Sequence, residues 1–136
     1  MKYIIPLLVV LACCSTLSVA HAGEPRQTSV QLKTTTGVLY GTLELPAGKA
    51  PWPVALIIAG SGPTDRNGNS PIGLTTDAYK LLASALAGRG IATLRYDKRG
   101  IAQSAPTGPS ESKLRFTTYI DDAVAWGKLL AAERVR

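Results

Sequence analysis

Val54-Ala55-Leu56-Ile57-Ile58-Ala59-Gly60-Ser61-Gly62-Pro63 is the stretch whose reading decides the fold. An unbroken apolar run suits a strand buried on both faces of a parallel sheet, whereas a half-buried strand alternates. The Gly/Pro turn that ends the run continues through Asn67-Gly68-Asn69-Ser70-Pro71 as a polar loop. Downstream, Asp77 stands as a candidate N-cap ahead of a helix with Tyr79, Leu82, Ala83 and Leu86 as its apolar stripe. Gly88-Arg89-Gly90 stops that helix. Ile91-Ala92-Thr93-Leu94-Arg95-Tyr96 reads as a second buried strand, ending at Asp97-Lys98-Arg99-Gly100. A polar loop over residues 101–115 leads to a last helix over residues 118–133, with Ile120, Ala123, Val124, Trp126, Leu129 and Leu130 apolar.

Upstream of the deciding stretch the period is two. Val30-Gln31-Leu32-Lys33-Thr34 and Val38-Leu39-Tyr40-Gly41-Thr42-Leu43-Glu44-Leu45 alternate around Thr36-Gly37, which predicts a hairpin. Residues 23–29 are polar and read as a disordered lead. The order is therefore an antiparallel hairpin followed by β-α-β-α, an α/β class with a parallel core.

The first residues do not belong to that domain. Lys2, an apolar run over residues 4–19, and Ala20-His21-Ala22 have the layout of a signal peptide cut after residue 22. Competing readings are a retained anchor helix and a lipoprotein cleaved before Cys13 of Val10-Leu11-Ala12-Cys13. The run is short for a membrane span, so the reading adopted is residues 1–22 as signal and 23–136 as one partial domain, with no membrane span after cleavage. Export, periplasmic or secreted, follows from it.

Cleavage would remove Cys13, Cys14 and His21, which are all the cysteines and histidines of the 136 residues. Such a mature chain has no disulfide, no thiolate or imidazole metal site and no imidazole base. The formal charge of +6 falls by one without Lys2. The remaining cations are scattered among Asp and Glu, unlike the clustered footprint of a nucleic-acid binder. A dinucleotide fingerprint fails because position 65 is Asp, and no Walker-type Gly-Lys-Ser/Thr occurs.

The richest segment is Gly60-Ser61-Gly62-Pro63-Thr64-Asp65-Arg66-Asn67-Gly68-Asn69, at the C-terminal end of a strand, where α/β sheets place ligands. Glycines there let backbone N–H groups face a ligand and stabilise an oxyanion. A plain turn is the alternative reading of Gly-Ser-Gly alone.

This segment resembles the oxyanion loop of a group of bacterial α/β-hydrolases, the esterase-like and serine-aminopeptidase-like members. Asp97-Lys98-Arg99-Gly100-Ile101-Ala102-Gln103-Ser104 resembles the Asp-x-Arg-Gly-x-Gly-x-Ser turn of that family, departing at Ala102, where the family usually has Gly. Asp121-Asp122-Ala123-Val124-Ala125-Trp126 resembles the start of the helix that precedes its nucleophile strand. The resemblance implies the N-terminal half of an α/β-hydrolase sheet, with Ser61 as oxyanion donor through its backbone N–H. Gly60 and Gly62 would permit the turn, Asp65 and Arg66 would order the first loop, and Asp97, Arg99, Gly100 and Ser104 would order the second. A small acyl ester is the implied substrate, with amides or peptides as further possibilities, and no cofactor or metal is implied.

The catalytic residues of the family are not in this chain. No Gly-x-Ser-x-Gly elbow is present, and Gly108-Pro109-Ser110-Glu111-Ser112 lacks the final Gly and follows no strand. Ser61 and Ser104 have no His to activate them, so no turnover is expected of these residues alone. A second reading is a non-catalytic exported module holding a small anion on the 60–69 loop through backbone N–H groups.

Overall fold

The computed structural model describes residues 23–108 and 111–132. The signal-peptide reading concerns residues 1–22 and lies outside the described residues. Four strands, β1 (Arg26–Thr34), β2 (Gly37–Leu45), β3 (Val54–Ile57) and β4 (Ala92–Tyr96), form one sheet in the order β1-β2-β4-β3. β1 pairs antiparallel with β2 and β2 antiparallel with β4, while β3 and β4 run parallel. Helix α1 (Ala78–Ala87) links β3 to β4, and helix α2 (Phe116–Ala132) follows two short 3-10 helices, Ala102–Thr107 and Glu111–Lys113. This is the expected hairpin plus β-α-β-α.

Strand alternation divides the sheet into an apolar face and a polar one. Leu39, Leu43, Ala92, Leu94 and Tyr96 share the apolar face and pack with Trp126 and Leu130 of α2 as the core. Gly41 makes the seat for Trp126: a Cβ there would lie 3.2 Å from the indole Cη2 and 3.1 Å from the Arg95 carbonyl oxygen. Glu44, Thr93 and Arg95 point the other way, toward α1, whose Ser84 Oγ donates to Glu44 Oε1 at 2.8 Å. Small residues, Ala83 and Ala87, are the buried positions of α1 on that face.

Several expectations are corrected. Residues 26–29 are strand, not lead: Arg26 pairs with Leu45 and Ser29 with Thr42, and their polar side chains lie exposed on an edge strand. Backbone pairing holds them, so no apolar alternation marks them. β3 ends at Ile57 and is only half-buried, with Ile58 49% exposed, because among the described residues it lies at the sheet's edge and pairs only with β4. Leu82 in α1 and Ile120 and Val124 in α2 are exposed. The inward face of α2 runs instead through Asp122, Trp126 and Leu130 at i, i+4 and i+8.

Asp77 occupies the N-cap position of α1 but makes no capping bond with its side chain. Its Oδ1 instead accepts from Asn69 Nδ2 at 2.7 Å. The first N–H groups of the helix go to the loop: Tyr79 N–H and Lys80 N–H donate to the Asn67 carbonyl, and Ala78 N–H to Thr76 Oγ1. A carbonyl eleven or more residues upstream caps the helix, so tertiary contact replaces the local cap.

Candidate active site

Two loops leave the C-terminal ends of β3 and β4 side by side, and charged side chains tie them together. Asp65 Oδ1 accepts the backbone N–H groups of Asn67 at 2.8 Å and Asn69 at 2.9 Å, which curls the first loop. Arg66 reaches across to the second loop. Its backbone N–H donates to Asp97 Oδ1 at 2.8 Å, Nη1 to Asp97 Oδ2 at 2.9 Å and Nη2 to Gln103 Oε1 at 2.6 Å. Gln103 N–H adds a third donor to the Asp97 carboxylate at 3.2 Å. Burial pushes the Asp97 carboxyl above the usual aspartate range, while the bonds from Arg66 and Gln103 pull it back.

Arg99 turns away from both loops. Its Nε and Nη2 form a fork to the Asp122 carboxylate of α2, each at 2.7 Å, and Nη1 donates to Thr36 Oγ1 in the hairpin turn. Ser104 is fully buried, and its Oγ accepts Tyr40 N–H at 3.0 Å, fixing the second loop to β2. Gly100 takes φ 77° and Ala102 φ 43°, both left-handed. The turn therefore keeps a left-handed backbone at position 102, at a cost for an L side chain of about 1–2 kcal/mol. Ala102→Gly removes that strain and adds about 0.5–1 kcal/mol of backbone entropy cost, for a net gain near 0.5 kcal/mol. A urea midpoint that rises with an unchanged slope is the expected result, and a lower midpoint contradicts it.

Between the loops and the start of α2 lies a cleft of about 530 Å³, lined by Ile58, Ser61, Lys98, Ile101, Phe116 and Tyr119 among others. The turn at its mouth has Gly62 at φ 83°. Lys98, only 8% exposed, donates from Nζ to the carbonyl of Gly60 and, at 3.2 Å, to that of Gly62. Burial pushes its ammonium below the usual lysine range. Among the described residues, no acceptor takes the N–H groups of Gly60, Ser61 or Gly62. A second depression, about 420 Å³, lies beyond Asp65 and Asn69 against Gly100 and Ala102. No cluster of His, Cys, Asp or Glu that could hold a metal occurs among the described residues.

No protein-family model matches the chain. It is 33% identical over 97 residues to esterase EstD of Thermotoga maritima, which covers 71% of this chain and 22% of that esterase. A cold-adapted esterase from an Arctic intertidal metagenomic library superposes with a TM-score of 0.60 at 17% identity, over 82% of this chain and 47% of its own. A lidless α/β serine hydrolase from Xanthomonas campestris gives 0.55 at 21%, over 79% of this chain and 45% of its own. The α/β-hydrolase GrgF from Penicillium sp. sh18 gives 0.53 at 25%, over 76% and 32%. The chain has the fold of part of an α/β-hydrolase. It spans less than half the length of each of these four proteins.

Within this fold the residues singled out from sequence divide between two sites of contact. Gly60, Ser61 and Gly62 line the cleft, and Asp65, Arg66 and Asp97 brace the loops behind it. Arg99 and Ser104 act farther off, on α2, the hairpin turn and β2.

Two features were missed. Lys98 is the side chain that grips the turn, although only its neighbours were singled out. Under the first loop, Glu44 and Arg95 pair at 2.9 Å with 2% exposure each. Arg95 Nε also donates to Asn67 Oδ1 at 3.3 Å, Arg95 Nη2 to Gln27 Oε1 at 3.3 Å and Gln27 Nε2 to Glu44 Oε2 at 3.1 Å. The available signal was a single charge inside each of two otherwise inward-facing strands, of opposite sign.

No helix among the described residues is long and apolar enough to cross a membrane.

Proposed function

We propose that this chain supplies the oxyanion loop of an exported serine hydrolase that cleaves carboxylic acyl esters. In this reading a serine outside the chain attacks the ester carbonyl, and its proton passes to a histidine that is also outside it. The carbonyl oxygen gains negative charge and accepts a hydrogen bond from Ser61 N–H. Collapse expels the alcohol, which takes the proton from the histidine, and water then releases the acid from the acyl-serine. The observation that carries this is the unused Ser61 N–H at the end of β3, beside a cleft with apolar walls from Ile58, Ile101 and Phe116. Such walls suit an acyl or alcohol group, and relatives bearing the name esterase support the substrate class. Export rests on the signal-like residues 1–22 alone.

Ser61 allows a test that separates its backbone from its side chain. In the complete enzyme, Ser61→Pro deletes the N–H, and kcat on a p-nitrophenyl ester should fall by about 10²–10³-fold. Ser61→Ala keeps the N–H and should retain activity. Equal losses in both variants, or none in Ser61→Pro, would sink the assignment.

A further inference from the structure

Three cations are buried among the described residues, Arg95, Lys98 and Arg99. Arg95 pairs with Glu44 and Arg99 with Asp122, but Lys98 has no carboxylate partner among the described residues. An unpaired buried ammonium is costly, so its two acceptors matter. They are the carbonyl oxygens of Gly60 and Gly62.

The carbonyl of Gly60 and the N–H of Ser61 are the two ends of one planar amide. That amide is trans, the only cis bond among the described residues being the one joining Ala50 to Pro51. A cation bonded to the oxygen therefore withdraws charge through the amide, and the N–H on the opposite side becomes a stronger donor. The carbonyl of Gly62 belongs to the bond with Pro63, which has no N–H. The second contact can only anchor the turn. The first both anchors and activates.

We propose that Lys98 is a positioning residue that strengthens the Ser61 N–H as a donor to an anionic oxygen in the cleft, by holding and polarising the amide that joins Gly60 to Ser61. The identity of that oxygen rests on the esterase reading above; the strengthened donor does not.

The groups around Lys98 leave its charge isolated. In the chain on either side, Asp97 is engaged by Arg66 and Gln103, and Arg99 by Asp122. From the first loop, the Asp65 Oδ1 is taken by two backbone N–H groups. From α2 the cleft is lined by Phe116 and Tyr119, and from the stretch just after β3 by Ile58 and Ala59. Burial lowers the ammonium's proton affinity. The donor therefore weakens as pH rises toward the ordinary lysine value, earlier than an exposed lysine would allow.

Two measurements test this. The first uses the complete enzyme labelled with ¹⁵N. The Ser61 amide proton should lie downfield, should move upfield as Lys98 deprotonates, and should lose that titration in Lys98→Met. A Ser61 resonance insensitive to both pH and substitution overturns the proposal, whatever the enzyme does. The second uses kcat of the complete enzyme on a p-nitrophenyl ester. Lys98→Met and Lys98→Gln should each lower kcat about tenfold with little change in KM, since polarisation supplies only part of one donor's effect. Lys98→Arg, which keeps the charge, should recover most of the loss. If Arg, Gln and Met variants lose activity only in proportion to thermal stability, Lys98 is a plain strut and the proposal fails. A wild-type enzyme without ester hydrolysis would count against the esterase reading, and the amide titration would still decide for Lys98.

Discussion

Glu44→Ala is expected to destabilise the fold by about 3–5 kcal/mol, the usual consequence of leaving one partner of a buried ion pair alone. Domains of this size are stable by only about 5–15 kcal/mol, so the loss is a large share of the total. Arg95 would keep its contacts to Asn67 Oδ1 and Gln27 Oε1, but neither supplies a negative charge. Ser84 Oγ would lose its acceptor as well. The double variant Glu44→Leu/Arg95→Met removes both charges and should lie closer to wild type than Glu44→Ala alone. Urea unfolding followed by tryptophan fluorescence gives both values. A Glu44→Ala midpoint within error of wild type, or strictly additive single costs, would falsify this account. The position also has a reach beyond stability: Arg95 steadies Asn67, and the Asn67 carbonyl caps α1.

Trp126→Ala should cost about 3–5 kcal/mol through lost transfer energy and the cavity left behind. Trp126 is 0% exposed and lies over Tyr96, ring centroids 5.5 Å apart and planes at 38°. Its Nε1 has no partner among the described residues, so the indole contributes through volume and contact, and Trp126→Phe should be milder. Gly41→Ala tests the same seat from the sheet side. The added Cβ would press on the indole at 3.2 Å and on Val30 Cγ2 at 3.3 Å, for an overpacking cost of about 1–3 kcal/mol. Because α2 brings Phe116 and Tyr119 to the cleft, both changes should also loosen the wall of the candidate site. Near-ultraviolet circular dichroism and urea midpoints report the effect; a Trp126→Ala chain as stable as wild type refutes the packing argument.

Local signals suffice for some elements and not for others. The hairpin was readable because Leu32, Leu39 and Leu43 alternate on one face, and pairing across a short turn is local. β4 was read as a buried strand, and all five of its residues, Thr93 and Arg95 included, are buried. Helix faces were less readable. Ile120 and Val124 are as apolar as Leu129, yet Asp122 points inward because Arg99 meets it there. Hydrophobic spacing locates a helix, but a buried salt bridge can turn its inward face toward a charged residue.

The candidate site divides in the same way. Gly60-Ser61-Gly62 and Asp65 were legible as a tight loop, since a left-handed Gly62 and an Asp curling the following backbone are local chemistry. Arg66 paired with Asp97, Arg99 with Asp122, and Lys98 with the Gly60 and Gly62 carbonyls are joined across 23 to 38 positions of chain, which spacing alone does not encode.

By itself the sequence determined the α/β class, the hairpin plus β-α-β-α order and the loop at the end of β3, because these follow from periodicity and backbone preference over a few neighbouring residues. The tertiary structure alone decided which charges meet, which carbonyl caps α1 and which amide Lys98 holds. Those choices depend on distances between segments far apart in sequence, fixed only once the sheet brings β2, β3 and β4 side by side.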